Sequence, residues 1–121
     1  MKASITIGGH KVSVMWADIE DYGTYCHDSS VIALNSNLKD DPITAMTTIR
    51  HELMHAALAV SGVGFGVTPE QEEQIVRCME SIFFPAWEQL QADGFKWGKR
   101  AEKRQAKAKQ RKKVKKSNIS I

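Results

Sequence analysis

Apolar and polar residues alternate over Ile5-Thr6-Ile7 and again over Val12-Ser13-Val14-Met15-Trp16. A period of two marks a strand with one face buried, and Gly8-Gly9 between the runs suits a hairpin turn. Asp18 to Gly23 is polar and turn-like. Two further strand pieces, Tyr22-Gly23-Thr24-Tyr25-Cys26 and Val31-Ile32-Ala33-Leu34, flank His27-Asp28-Ser29-Ser30, and Asn35-Ser36-Asn37 closes this region.

The period then lengthens. Asp41 is placed to accept from the free amides of a helix start, and Pro42 suits the first helical position, where no N–H is needed. Ile43, Met46, Ile49/Arg50, Leu53, Ala57 and Val60 recur at helical spacing and predict a core-facing stripe. Ser61-Gly62 stops the helix. Val63-Gly64-Phe65-Gly66 has neither the GK[ST] ending nor the GxGxxG spacing of a phosphate cradle, and reads as a connector. Thr68 and Gln71 have capping-box spacing around Pro69, opening a second helix. Its stripe runs through Val76, Met79, Phe83, Trp87 and Leu90, and Pro85 should kink or restart it. Gly94 to Gly98 ends the body.

Charge divides the chain where periodicity fades. Residues 98–121 hold eleven Lys/Arg and one Glu, a net of +10; residues 1–97 hold six Lys/Arg and thirteen Asp/Glu, a net of −7. The expected organisation is one domain over 1–97 and a basic tail over 98–121, either a solvated helix or disordered. The tail suits a solubilising extension, or salt-dependent contact of Lys99 to Lys116 with nucleic acid or an acidic partner. No aromatic follows Trp97, so such contact would be to phosphates and not by base stacking. The oligomeric state is not readable from the sequence. There is no long apolar run and no secretory h-region in Met1 to Gly9, so a cytoplasmic location is expected. Cys26 and Cys78 form no CxxC pattern and read as free thiols used in core packing. The three tryptophans, Trp16, Trp87 and Trp97, read as core or rim.

The chemistry lies in His51-Glu52-Leu53-Met54-His55, an HExxH match inside the first helix. Side chains four apart on a helix lie about 5–6 Å apart on one face. Two imidazoles can therefore converge on one metal, with Glu52 beside it to take a proton from metal-bound water. A catalytic Zn²⁺ takes three protein ligands and lowers the pKa of its water to about 7. The donors would also suit other divalent first-row metals. The third ligand is absent from the first helix: Leu58 and Ser61 stand where a metzincin needs Gly and His. His10 and His27 are upstream and less suited. Glu70, Glu72 and Glu73 lie at the start of the second helix, and Glu73 and Glu72, three and four before Val76, can face the core. Glu73 is preferred and Glu72 is the alternative; spacing alone does not separate them. Tyr22, Tyr25, His27 and Arg77 are candidates for a second electrophile to steady an oxyanion.

Taken together, Thr47-Thr48-Ile49-Arg50-His51-Glu52-Leu53-Met54-His55-Ala56-Ala57-Leu58, the block Glu72-Glu73-Gln74-Ile75-Val76-Arg77 and the strand region Tyr22 to Leu34 resemble a zincin family. The chain looks like the small gluzincin-type metallopeptidases of phages, prophages and mobile elements, similar to the ImmA/IrrE-type group, over roughly residues 10 to 84. The resemblance implies a compact α+β fold, with a short sheet packed on the HExxH helix and a ligand-bearing helix after it. It implies a zinc metallopeptidase acting on a peptide or protein, whose backbone lies along an edge strand; by position Ser29 to Leu34 is that strand. The competing readings are a metal-binding adaptor without turnover and a nucleic-acid accessory protein acting through the tail.

Overall fold

The computed structural model describes residues 2–95 and 103–112. Residues 2–95 are α+β: a four-stranded mixed sheet and three α-helices. The chain divides into two compact units, residues 1–84 and 85–121. The candidate chemistry lies in the first.

The sheet comprises β1 (Lys2–Ile7), β2 (His10–Ala17), β3 (Gly23–Cys26) and β4 (Val31–Asn35), in the order β1-β2-β4-β3. The first two strands form the expected hairpin, with Ile7 opposite His10 across Gly8-Gly9. Both glycines have positive φ (52° and 85°), the region a two-residue hairpin turn requires and that side-chain-bearing residues disfavour. β2 pairs with β4 in parallel and β3 with β4 antiparallel. Alternation then does what it predicts. Val12, Val14, Ile32 and Leu34 turn to one face and are buried with Ala56, and Ile5, Ile7, Trp16, Tyr25, Ile49 and Leu53 pack around them. Cys26 falls on the other phase and is exposed, as is Cys78, so neither thiol packs the core.

A 3₁₀ turn (Ser36–Asp40) leads into α1 (Pro42–Ser61), capped by Asp41, whose side chain accepts from the Thr44 amide, and closed by Gly62 at φ 86°. The face of α1 that meets the sheet differs from the predicted stripe. Ile43 and Met46 are 78% and 70% exposed, Ala57 is exposed, and the two buried residues of the helix are Glu52 and Ala56. Length explains the first two: a 20-residue helix is about 30 Å long and a five-residue strand about 17 Å, so the helix outruns the sheet it covers.

After a short 3₁₀ turn (Val63–Gly66), α2 (Pro69–Cys78) starts on the expected capping box between Thr68 and Gln71. Val76 is fully buried. From Met79 to Phe83 the helix widens into a π-turn, in which the Phe84 amide donates to Met79 O, five residues back. It returns to α geometry as α3 (Phe84–Ala92), with Pro85 in the first turn, where its missing N–H costs least. The wider turn breaks the predicted stripe: Phe83, Trp87 and Leu90 are all exposed. Residues 103–112 are helical, while Trp97 and the rest of the tail lie outside the described residues. No helix among the described residues is long and apolar enough to cross a membrane.

Candidate metal centre

His51 and His55 sit one turn apart on α1, and their Nε2 atoms face each other at 3.2 Å. Their rings are 4.9 Å apart, tilted by 60°. The outer nitrogens are held from the second helical arm. His55 Nδ1–H donates to Glu72 Oε2 at 2.7 Å, and His51 Nδ1–H donates to Glu80 Oε1 at 2.5 Å. An ionised carboxylate only accepts, so each bond places the proton on Nδ1 and leaves the Nε2 lone pair directed into the shared space.

Glu73 enters that space from α2. Its Oε1 lies 2.9 Å from His55 Nε2 and 3.9 Å from His51 Nε2. Glu52, next to His51 on α1, is only 7% exposed. Its burial raises its carboxyl pKa above the usual range; His55 and His51 oppose that rise, and Glu73 and Asp21 add to it. His51, Glu52 and His55 each bring a ligand atom within 4.8 Å of the others, a group that could hold a metal ion. Donors about 2.0–2.1 Å from a tetrahedral ion stand about 3.3 Å apart. The Nε2 pair, 3.2 Å apart, is spaced near that value, and the Glu73 oxygen, at 2.9 and 3.9 Å from the two nitrogens, brackets it, so the residues present fit a metal ion.

Glu72 and Glu73, which spacing could not separate, thus have different places: Glu73 faces the Nε2 pair and Glu72 supports a histidine from behind. Glu70 is exposed in the first turn of α2. Glu80, not foreseen, belongs to the same face, seven residues after Glu73. The signal was an acid at that interval; it was masked by reading the helix through its apolar stripe alone. Gly64 also has a place beyond that of a connector. A Cβ there would stand 2.6 Å from Glu72 Oε1, so its hydrogen leaves the room in which that carboxylate sits.

The strand beside the centre is β3, not Ser29 to Leu34. β4 is paired on both sides, whereas β3 is one of the two sheet edges, β1 being the other. Gly23 meets α1 closely: a Cβ would lie 2.6 Å from Thr48 Cγ2 and 3.3 Å from Glu52 Cγ. Of the electrophile candidates, Tyr25 and His27 line the cavity that includes Glu52 and His55, with Tyr25 Oη 2.8 Å from His27 Nδ1. Tyr22 lines a neighbouring cavity. Arg77 is exposed and lines neither, and His10 is exposed at the start of β2, so neither joins the group.

Comparison with protein-family models, curated proteins and solved structures finds no match.

Proposed function

We propose that this protein is a zinc-dependent metallohydrolase of the gluzincin type, a peptidase, with His51, His55 and Glu73 as metal ligands and Glu52 as general base. The observation that carries the reading is the convergence of two imidazole Nε2 atoms and one carboxylate oxygen, with both Nδ1 atoms tied to further carboxylates. When bound, the divalent ion supplies a Lewis acid that polarises a carbonyl and acidifies water.

The chain's own residues do the rest. Glu72 and Glu80 fix the tautomer and aim of the two imidazoles. Glu52 is a carboxylate in a poorly solvated position, which favours its taking a proton from the attacking water and returning it to the leaving amine. A peptide is the favoured substrate because β3 is an edge strand whose outward backbone N–H and C=O groups can pair with an extended segment. Intact Glu52 disfavours a closed structural site, which has no use for a base and takes four protein ligands.

Glu52→Gln keeps the shape of the side chain and removes its basicity. The variant is expected to retain zinc by metal analysis and to lose peptide hydrolysis by at least about a hundredfold. Full activity in that variant would refute the mechanism.

A further inference from the structure

The ground around the centre is divided into two unlike cavities. One, of about 430 Å³, is walled by Tyr25, His27, Ala59 and Phe65; the other, of about 510 Å³, by Asp21, Tyr22, Thr47, Thr48 and Glu80. Both include Gly23, Glu52 and His55. Their order follows the chain: Asp21 and Tyr22 immediately precede β3, and His27 immediately follows it. An extended segment paired along β3 would advance about 3.3 Å per residue, so residues on the two sides of a bond held near Gly23 would reach opposite cavities.

The two ends differ in balance. The first carries the aromatic groups, with Glu52 and Glu72 as its two carboxylates. His27 is oriented by the Tyr25 hydroxyl and meets the Phe65 ring edge-on at 5.6 Å. Phe65 is 74% exposed, a large apolar ring that a substrate side chain would cover. The second is the more acidic. Asp21, Glu52, Glu73 and Glu80 line it, and no Lys or Arg among the described residues does. Four carboxylates carry a formal charge of −4, and a dication at the centre leaves −2. Asp21 is also held in position. The Asn35 side-chain amide donates to Ile19 O and Asp21 O at 2.8 and 3.2 Å, and the Asn35 backbone amide donates to Tyr22 O at 2.8 Å.

We propose that the cleft selects a peptide carrying Lys or Arg on one side of the scissile bond and an aromatic or large aliphatic side chain on the other, with Asp21 and Phe65 as the residues that set this preference. The inference rests on the metallopeptidase reading and adds its substrate class.

Quenched fluorescent peptides with Phe and Lys flanking one bond in both orders, and the same peptides with Glu replacing Lys, test it on the zinc-loaded full chain. One Phe/Lys order should be cleaved about tenfold faster in kcat/KM than its Glu counterpart. Asp21→Lys should reverse that ratio with zinc content unchanged, and Phe65→Ala should reduce the preference for Phe over Ala. Binding of the same peptides to Glu52→Gln, by fluorescence anisotropy, should show the same charge preference. Equal cleavage of Lys and Glu peptides, or an unaltered ratio in Asp21→Lys, overturns the selectivity and leaves the peptidase reading standing. Charge-selective binding without any cleavage by the unaltered chain upholds the selectivity and overturns the peptidase reading. Neither binding nor cleavage of any peptide overturns both.

Discussion

Each imidazole of the centre is gripped at its far nitrogen by a glutamate from the facing helical arm, and that is where single substitutions should act. Glu80→Gln replaces a charged acceptor with a neutral amide on His51 Nδ1. Zinc affinity, measured by competition with a chromophoric chelator, is expected to fall about 10- to 100-fold; unchanged affinity would remove Glu80 from the centre. Glu52 gives a prediction in pH. Its folded-state pKa is raised by burial, so the folded state holds that proton where the unfolded chain has released it. As pH rises through the folded pKa, the folded state must ionise a buried carboxyl, and stability falls. Metal-free Glu52→Gln should therefore unfold at a higher temperature than the unaltered chain at pH 7, with the two curves converging below the normal carboxylate range. Equal melting at pH 7 would contradict this. At this scale the sequence was informative: His51, Glu52 and His55 are legible because one helical turn fixes their relation. Glu72 and Glu73 differ by 100° about a helix whose rotation depends on tertiary packing, so their separate roles needed coordinates.

Elements were legible where local rules govern and less so where neighbours decide. Caps at Asp41, Gly62 and Thr68 follow from short-range chemistry and appear as read. The buried face of α1 does not, because the residue it buries most deeply alongside Ala56 is a glutamate that no apolar stripe would include. The strand order was likewise beyond periodicity: alternation gives a strand its faces but not its neighbours, so β4 was read as the edge when β3 occupies it. The link between α1 and α2 yields a further prediction. Gly64→Ala places a methyl 2.6 Å from Glu72 Oε1, at the mobile end of a side chain. The carboxylate should shift off His55, lowering zinc affinity several-fold, by the same supporting role as Glu80, while the melting temperature of the metal-free protein changes little. A large loss of metal-free stability with normal affinity would assign Gly64 to the fold instead.

For the whole molecule, charge is the informative property. The body is acidic by seven and the tail basic by ten. The described stretch of the tail, 103–112, is helical and exposed. The alternative reading of the tail, contact with nucleic acid, predicts retention of the full chain on immobilised DNA at low salt that falls steeply towards about 0.2 M, since release of counterions drives such contact. Deleting residues 99–121 should abolish it; undiminished retention would place the contact on the body.

The docking of α2 has one more consequence. Within that helix Val76 is its single buried residue, and Glu72 and Glu73 meet the imidazoles of α1. Glu52, Glu72, Glu73 and Glu80 gather around the two rings, and a dication would turn that crowding of like charge from mutual repulsion into cohesion. The ion would then act as a clasp for a ten-residue segment as well as a reagent, and scarcity of metal would be felt first as slackness in that arm.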